Sequence, residues 1–378
     1  MIERPGSADS EPEPDPDPSA PDQAPPPAPD PGPTPQHEPV PAVESTRRLL
    51  GASFDLLTQT SDDMRLASFY IGLIVLGTVG PLAIASFGLE VASIHHTRRE
   101  MEDMLAGGLG AVEGFLLMLA GLGLFVASVE SQAMAASILG GRVSMRPVTP
   151  RAALARSRMV FWRVVVGAVV VGIPVGIAQV VIDAIFVAAF GPQTDLSLVT
   201  SVLVAVLVGA PLAYVLAGIV LGDVPPFVAA RRSFTVFGAR KAAAVLVAVF
   251  QTIAVLLVLL GVSAGLDVAL RIFDALGLGA DSGPAGLILI VIGIVVGVFA
   301  LGTLIYTALA ISLAPQVIMF VGLTRVTFGL DHVRPGGGSD PLIARPGRRR
   351  FRWLTRPMLA GFGVGLLGLV AFVGNVRS

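Results

Sequence analysis

Two carboxylic acids stand inside stretches that are otherwise apolar: Glu113 in LGAVEGFLLML and Asp183 in VVIDAIFVAAF. An ionised acid at bilayer depth costs about 2.5–3.5 kcal/mol on insertion scales, so each must be protonated, paired or turned toward water. The chemistry this permits is a polar pocket in which Glu113 and Asp183 bind a cation, a proton or a lipid headgroup. The structural alternative is hydrogen bonding between helices, or acids near the interface partnered by Arg98, Arg99 or Arg271. No run of acids continues through the other half of the membrane, which favours the structural role. Gln179, Gln251 and Tyr306 also interrupt apolar stretches and read as residues that join helices.

Other chemistry finds little to work with. His95 and His96 are adjacent, so on a helix they point about 100° apart and form no chelating i, i+4 pair. With Arg98, Arg99, Glu100, Glu102 and Asp103 nearby they read as part of a polar interfacial helix. No phosphate loop, zinc-ligand spacing, Ser/His/Asp order, heme or flavin signature is present, so no cofactor or metal is expected. GGGSD at 336–340 reads as a flexible linker, lacking the lysine and following helix of a phosphate site. Zero cysteines exclude disulfides and thiolate chemistry. A lipid-processing enzyme would need acids, His or Ser converging at one depth, and none is legible, so catalysis is not expected.

The arginines are more patterned. PRAALARSRMVFWR (150–163) returns 76 positions later as PFVAARRSFTVFGAR (226–240), with the shared spacing P-x-x-A-x-x-R-S-x-x-V-F. On a helix, Ala153, Leu154, Ser157, Val160 and Phe161 gather on one arc and the arginines occupy the rest, as in a basic amphipathic helix lying on a membrane and feeding into it. Arg156, Arg163, Arg232 and Arg240 are thus candidate contacts to anionic headgroups or a partner. So are Arg348, Arg349, Arg350, Arg352 and Trp353 in GRRRFRWLTRP (347–357), where bases and aromatics suit an anionic leaflet. A topology signal alone explains that cluster equally well. Nucleic acid is not the expected partner, because the cluster abuts a span and no nucleic-acid-binding fold is available to present it.

These residues must be positioned by membrane helices. The chain of 378 residues is 53% apolar and 14% charged, and its apolar residues arrive in runs that match the roughly 20 residues needed to cross a bilayer. Spans are expected at Leu66–Phe87, Gly108–Val129, Val160–Phe190, Ser197–Leu221, Ala242–Ala264, Gly286–Ala310 and Met358–Gly374. The third is long enough to require tilt or a kink at Pro174. The apolar stretch after Ala310 is expected to turn along the interface beyond Pro315. Leu49, Leu50, Phe54, Leu57 and Met64 predict an interfacial helix before the first span. In the seventh span Gly361 and Gly365 form a GxxxG, a surface for close helix packing within the bundle or between two copies of the chain.

The net charge of −1 hides an asymmetry, since residues 1–46 carry −9 and the remainder +8. Fifteen of the 29 prolines lie in residues 1–43, which read as a disordered acidic tether or a docking segment for a protein partner that reads PxxP. Counted over the connections between spans, 20 basic residues fall on one side and four on the other. The positive-inside rule then places the N-terminus and both copies of the repeat in the cytoplasm. Each copy lies between two spans, which suggests a parallel internal duplication with Arg156 and Arg232 in equivalent places.

The segment Ala229 to Arg240, AARRSFTVFGAR, resembles the A-L-R-R-S-W-x-L-x-x-G-R motif of the bacterial membrane-domain family associated with glycerophosphodiester phosphodiesterases. Phe234 stands at the tryptophan position, Val236 at the leucine, and Ala239 stretches the glycine–arginine spacing. The resemblance covers roughly residues 45–323 and implies a six-span bundle; the catalytic acids and histidines of fused family members belong to a soluble barrel that this chain lacks.

The expectation is therefore an all-α polytopic bundle: a tail over 1–43, six spans over 44–323, a basic linker over 324–357 and a further span over 358–378. A non-enzymatic scaffold that binds lipids or proteins in a bacterial inner membrane ranks first. A transporter or channel component with a polar site at Glu113 and Asp183 follows, and a lipid-processing enzyme comes last.

Overall fold

The computed structural model describes residues 46–94, 109–191, 197–275 and 284–337. The proline-rich tail, the His95-His96 connection, the cluster from Arg348 to Trp353 and the seventh span with Gly361 and Gly365 lie outside them. The described residues are mostly helical, with no strand among them, as expected of an all-α bundle.

In chain order the helices are α1 (Thr46–Gln59), α2 (Ser61–Ile94), α3 (Leu109–Val143), α4 (Pro150–Phe190), α5 (Ser197–Val204), α6 (Val215–Val220), α7 (Pro226–Ala239), α8 (Lys241–Ala275) and α9 (Pro284–Phe328). A π-helical turn (Ala205–Gly209) and an α-helical turn (Ala210–Leu212) carry α5 toward α6. Among the described residues six stretches are long and apolar enough to cross a membrane: Ser61–Ser86, Gly114–Val143, Pro150–Phe190, Val199–Val220, Lys241–Gly265 and Leu289–Val326. The protein is a multi-pass helical membrane protein.

α9 packs against α2 and α3, α3 against α4, and α8 against α9. Lipid supplies no hydrophobic drive for helices to associate, so close packing depends on small residues at the crossings. Gly302 of α9 meets Gly72 of α2, where an added Cβ would stand 2.9 Å from the Gly72 Cα.

Connections 144–149, 221–225 and 329–337 lie at one end of the bundle with α1 and α7; their arginines make this the basic end. Burial is concentrated there, in Ala133–Leu139 of α3, Ala153–Val164 of α4, Ala217–Leu221 and Leu313–Val321 of α9. Farther along α4, Ile173, Ile177 and Val180 are exposed, Val180 by 70%. At about 1.5 Å per residue, α4 is roughly 62 Å long, twice a hydrocarbon core of about 30 Å. Its first turns therefore belong to the packed basic end and its later turns to lipid.

Several expectations are corrected by this packing. α4 begins at Pro150, not near Val160, and runs unbroken through Pro174, with Thr149 capping its N-terminus. The first repeat copy thus opens a span and buries Ala153, Arg156, Ser157, Val160 and Phe161 in protein. α9 continues through Pro315 to Phe328 as one helix, with Leu313, Ala314, Val317 and Ile318 packed in the core on both sides of the proline. α3 extends past Val129 to Val143 for the same reason. α1 packs against α9, burying Leu49, Ser53 and Leu56 while Phe54 is left exposed. Gly336, expected in a flexible linker, is buried at φ 106° against Arg156.

Candidate functional site

Proline 211 has no amide hydrogen, so the span that carries it cannot close a regular helical ladder. The chain responds with the π-helical turn before Pro211 and a break at Ala213 and Tyr214. Ser233 of α7 repairs the break: its hydroxyl donates to the Pro211 carbonyl at 2.6 Å and accepts from the Tyr214 amide at 3.1 Å. Its repeat counterpart Ser157 only donates back to Leu154 O of its own helix, at 2.8 Å. Ser233→Ala should therefore lower stability by about 1–3 kcal/mol, the cost of stranding buried backbone groups. Ser157→Ala should change it little, and thermal unfolding in detergent compares the two.

The irregular turn faces a cavity of about 590 Å³ enclosed by α3, α4, the α5–α6 stretch, α8 and α9. Non-helical backbone at membrane depth is tolerated where it lines such a space. Four glutamines from four helices reach the wall: Gln132 on α3, Gln179 on α4, Gln251 on α8 and Gln316 on α9. Gln316 Nε2 donates to Gln251 Oε1 at 2.7 Å. Gln179 Nε2 is 3.0 Å from each carboxylate oxygen of Asp183 and 3.0 Å from Thr200 Oγ1, tying α4 to α5. The rest of the lining is mainly Val, Leu, Ala and Gly, and among the described residues no ionisable side chain contributes to it. α4 and α8, which share the cavity, are joined through the α5–α6 stretch, which packs against both. Of the lining residues Gly172 of α4 and Val255 of α8 are exposed, so the cavity is open to the apolar surroundings on that part of its wall.

Below the cavity an arginine cluster closes the basic end. Arg156, 1% exposed, donates from Nε and Nη2 to Val220 O at 3.3 and 2.8 Å, satisfying a carbonyl at the end of α6. The adjacent Leu221 O accepts from the Arg334 amide at 2.6 Å. Asp223 Oδ1 lies 3.4 Å from Arg156 Nη2 and 2.9 Å from Arg163 Nη1. Asp223 holds φ 51°, a left-handed turn that aspartate tolerates better than most side chains. Segment 333–337 seals the cluster, with Gly336 on the Arg156 side chain and Pro335 O accepting from Ser137 Oγ. A second buried pair joins Glu130 of α3, 1% exposed, to Arg158 Nε at 3.4 Å.

The residues singled out from sequence are thus dispersed. Arg156 and Arg163 turn inward onto one aspartate, and Arg156 is too buried to meet a headgroup. Arg232 is half-buried and Arg240 exposed, so Arg156 and Arg232 occupy different settings although Pro150/Pro226, Ala153/Ala229 and Ser157/Ser233 are buried in both copies. Asp183 is half-buried and bonded to Gln179, while the side chain of Glu113 lies outside the described residues. Sequence reading missed Asp223, Glu130, Gln132 and Gln316. One signal for Asp223 was available: Arg156 and Arg163 are seven apart, hence on one helix face, opposite a Gly-Asp turn.

Fold and site define a polytopic helical membrane protein with a polar-studded cavity between its spans. Comparison with protein-family models, with curated proteins and with solved structures finds no match.

Proposed function

We propose that this protein is a carrier or transport component that holds a small molecule in the cavity between its spans. The observation that carries this reading is the convergence of Gln132, Gln179, Gln251 and Gln316 from four helices on one open space at membrane depth. Amide groups facing hydrocarbon are costly, whereas amides facing water or a ligand are not. The reading moves the site from Glu113 and Asp183 to the glutamines, and ranks transport ahead of the scaffold role favoured from sequence. The arginine excess around the basic end supports a cytoplasmic N-terminus in a bacterial inner membrane.

A second reading, contact with anionic lipid headgroups, is favoured by α7. Phe227 and Phe234 are 72% and 54% exposed with Arg231 on the same face, as on a helix settled at a membrane interface. Kinship with the phosphodiesterase-associated membrane family is supported by the motif at 229–240, whose serine position is Ser233.

Because the chain has no cysteine, single cysteines test the cavity without background. In phosphatidylcholine vesicles, Ser201→Cys on the cavity wall should react with N-ethylmaleimide at least about tenfold faster than Val180→Cys on the lipid face, since a thiolate forms only where water reaches. Equal, negligible reaction at both would mean that no water reaches the cavity, and together with no labelling of its wall by a lipid-like probe would return the scaffold role to first place.

A further inference from the structure

The cavity's wall specifies what it can hold. On α4 the lining residues run from Val164 to Gln179, about 22 Å along the helix, so the space is elongated. Gln251 of α8 and Gln316 of α9 are bonded to each other and so sit at one level, and Gln132 of α3 shares the wall with them. Gln179 is near the opposite limit, and its amide hydrogens are already directed at Asp183 and Thr200.

Gln132, Gln251 and Gln316 are not so committed. An amide carries two donors and two acceptor sites. Gln316 and Gln251 use one donor and one acceptor on each other, which leaves the Gln251 NH₂ group and Gln316 Oε1 for a third party. Gln132 lines the same space from α3. Both hydrogen-bond donors and acceptors are therefore presented, with no ionisable lining residue among those described. A phosphate or carboxylate placed there would lose its hydration with no cation to replace it. A hydroxyl or amide would exchange water for the glutamines at little cost.

Resting on the reading of the cavity as a ligand site, we propose that it takes an uncharged amphiphile: a hydroxyl- or amide-bearing head held by Gln132, Gln251 and Gln316, with one apolar chain laid along α4 toward Gln179. The exposed part of the wall at Gly172 and Val255 gives such a molecule lateral access from the bilayer, and its chain replaces the lipid contact that the cavity's valines and leucines otherwise lack.

The test uses the full chain in phosphatidylcholine nanodiscs with two photoactivatable probes, a diazirine monoacylglycerol and its phosphorylated analogue. The monoacylglycerol should label 164–179 of α4 and 248–256 of α8, at least about tenfold above the phosphorylated probe. Gln251→Leu with Gln316→Leu removes both partners of the hydrogen bond, a change that can be nearly neutral for folding; it should cut monoacylglycerol labelling about tenfold or more. Gly172→Trp provides an independent variant, because a Cβ there meets no atom within 4 Å and the position is an exposed part of the cavity wall, where an indole can occupy the mouth. It should abolish cavity labelling without lowering thermal stability. Equal labelling by both probes, or labelling indifferent to the glutamine change, overturns the uncharged-head assignment while leaving the cavity a ligand site. Labelling by neither probe in the presence of a water-reactive Ser201→Cys also overturns it. An unreactive Ser201→Cys together with no labelling removes the ligand site itself.

Discussion

Asp223→Asn should lower the stability of this protein by about 3 kcal/mol or more, the usual consequence of removing one partner from a buried ion pair. The substitution keeps the shape and the left-handed turn at φ 51°, since asparagine tolerates that conformation, and so isolates the charge. What it strands is Arg156, whose side chain is 2% exposed and cannot swing out to water. Arg163, 26% exposed, can recover part of its own loss by turning toward solvent. The double variant Asp223→Asn with Arg156→Met should recover much of the stability, because an apolar side chain of similar length replaces a buried charge that has lost its aspartate. Thermal unfolding in detergent, followed through the fluorescence of Trp162 and Trp353, measures all three. A single variant as stable as the parent would show that water reaches Arg156 and that the cluster does not organise this end.

Gly336→Ala should cost about 3 kcal/mol through two effects at one atom. The backbone at φ 106° is one that L side chains rarely adopt, which contributes roughly 1–3 kcal/mol. The new Cβ would also stand 2.9 Å from both Cβ and Cγ of Arg156, and overpacking typically costs 1–3 kcal/mol. Those methylenes are held in place by the guanidinium contacts beyond them, so the segment must lift instead. Lifting breaks the bond from the Arg334 amide to Leu221 O, and hydrogen exchange over 330–337 should accelerate accordingly. Since Gly336 and Asp223 act on the same side chain, their combined variant should be less destabilised than the sum of the two. Simple addition would place the two effects in separate units.

Why Asp223 and Gly336 escape a reading of the sequence is a matter of what a one-dimensional pattern contains. Both belong to short polar connections whose composition is that of any loop, LGDVPP and RPGGGSD. Their role arises from meeting Arg156, which precedes them by 67 and 180 positions. The glutamines failed to stand out for a related reason. Gln251 and Gln179 were visible as lone polar residues in apolar stretches. That they share a wall with Gln132 and Gln316 depends on helix rotation and order of packing.

The sequence by itself determined the class of this protein. Runs of about 20 apolar residues have no place in water, and a helix is how a single chain crosses hydrocarbon with its backbone satisfied, so the six spans among the described residues and their helical form follow from hydropathy and length. It also marked where regular structure would fail, since Pro211 cannot donate, and it held the Arg156/Arg163 spacing that predicts a shared partner. Tertiary structure decided everything that depends on who faces whom. It turned the arginines of the first repeat copy inward, because Val220 O and Asp223 offer acceptors inside the bundle. It carried α9 through Pro315 as one helix, because its flanks are buried in core on both sides of that residue. And it moved the polar site from two isolated acids to a wall of glutamines, since only packing determines which polar groups in a membrane share a space.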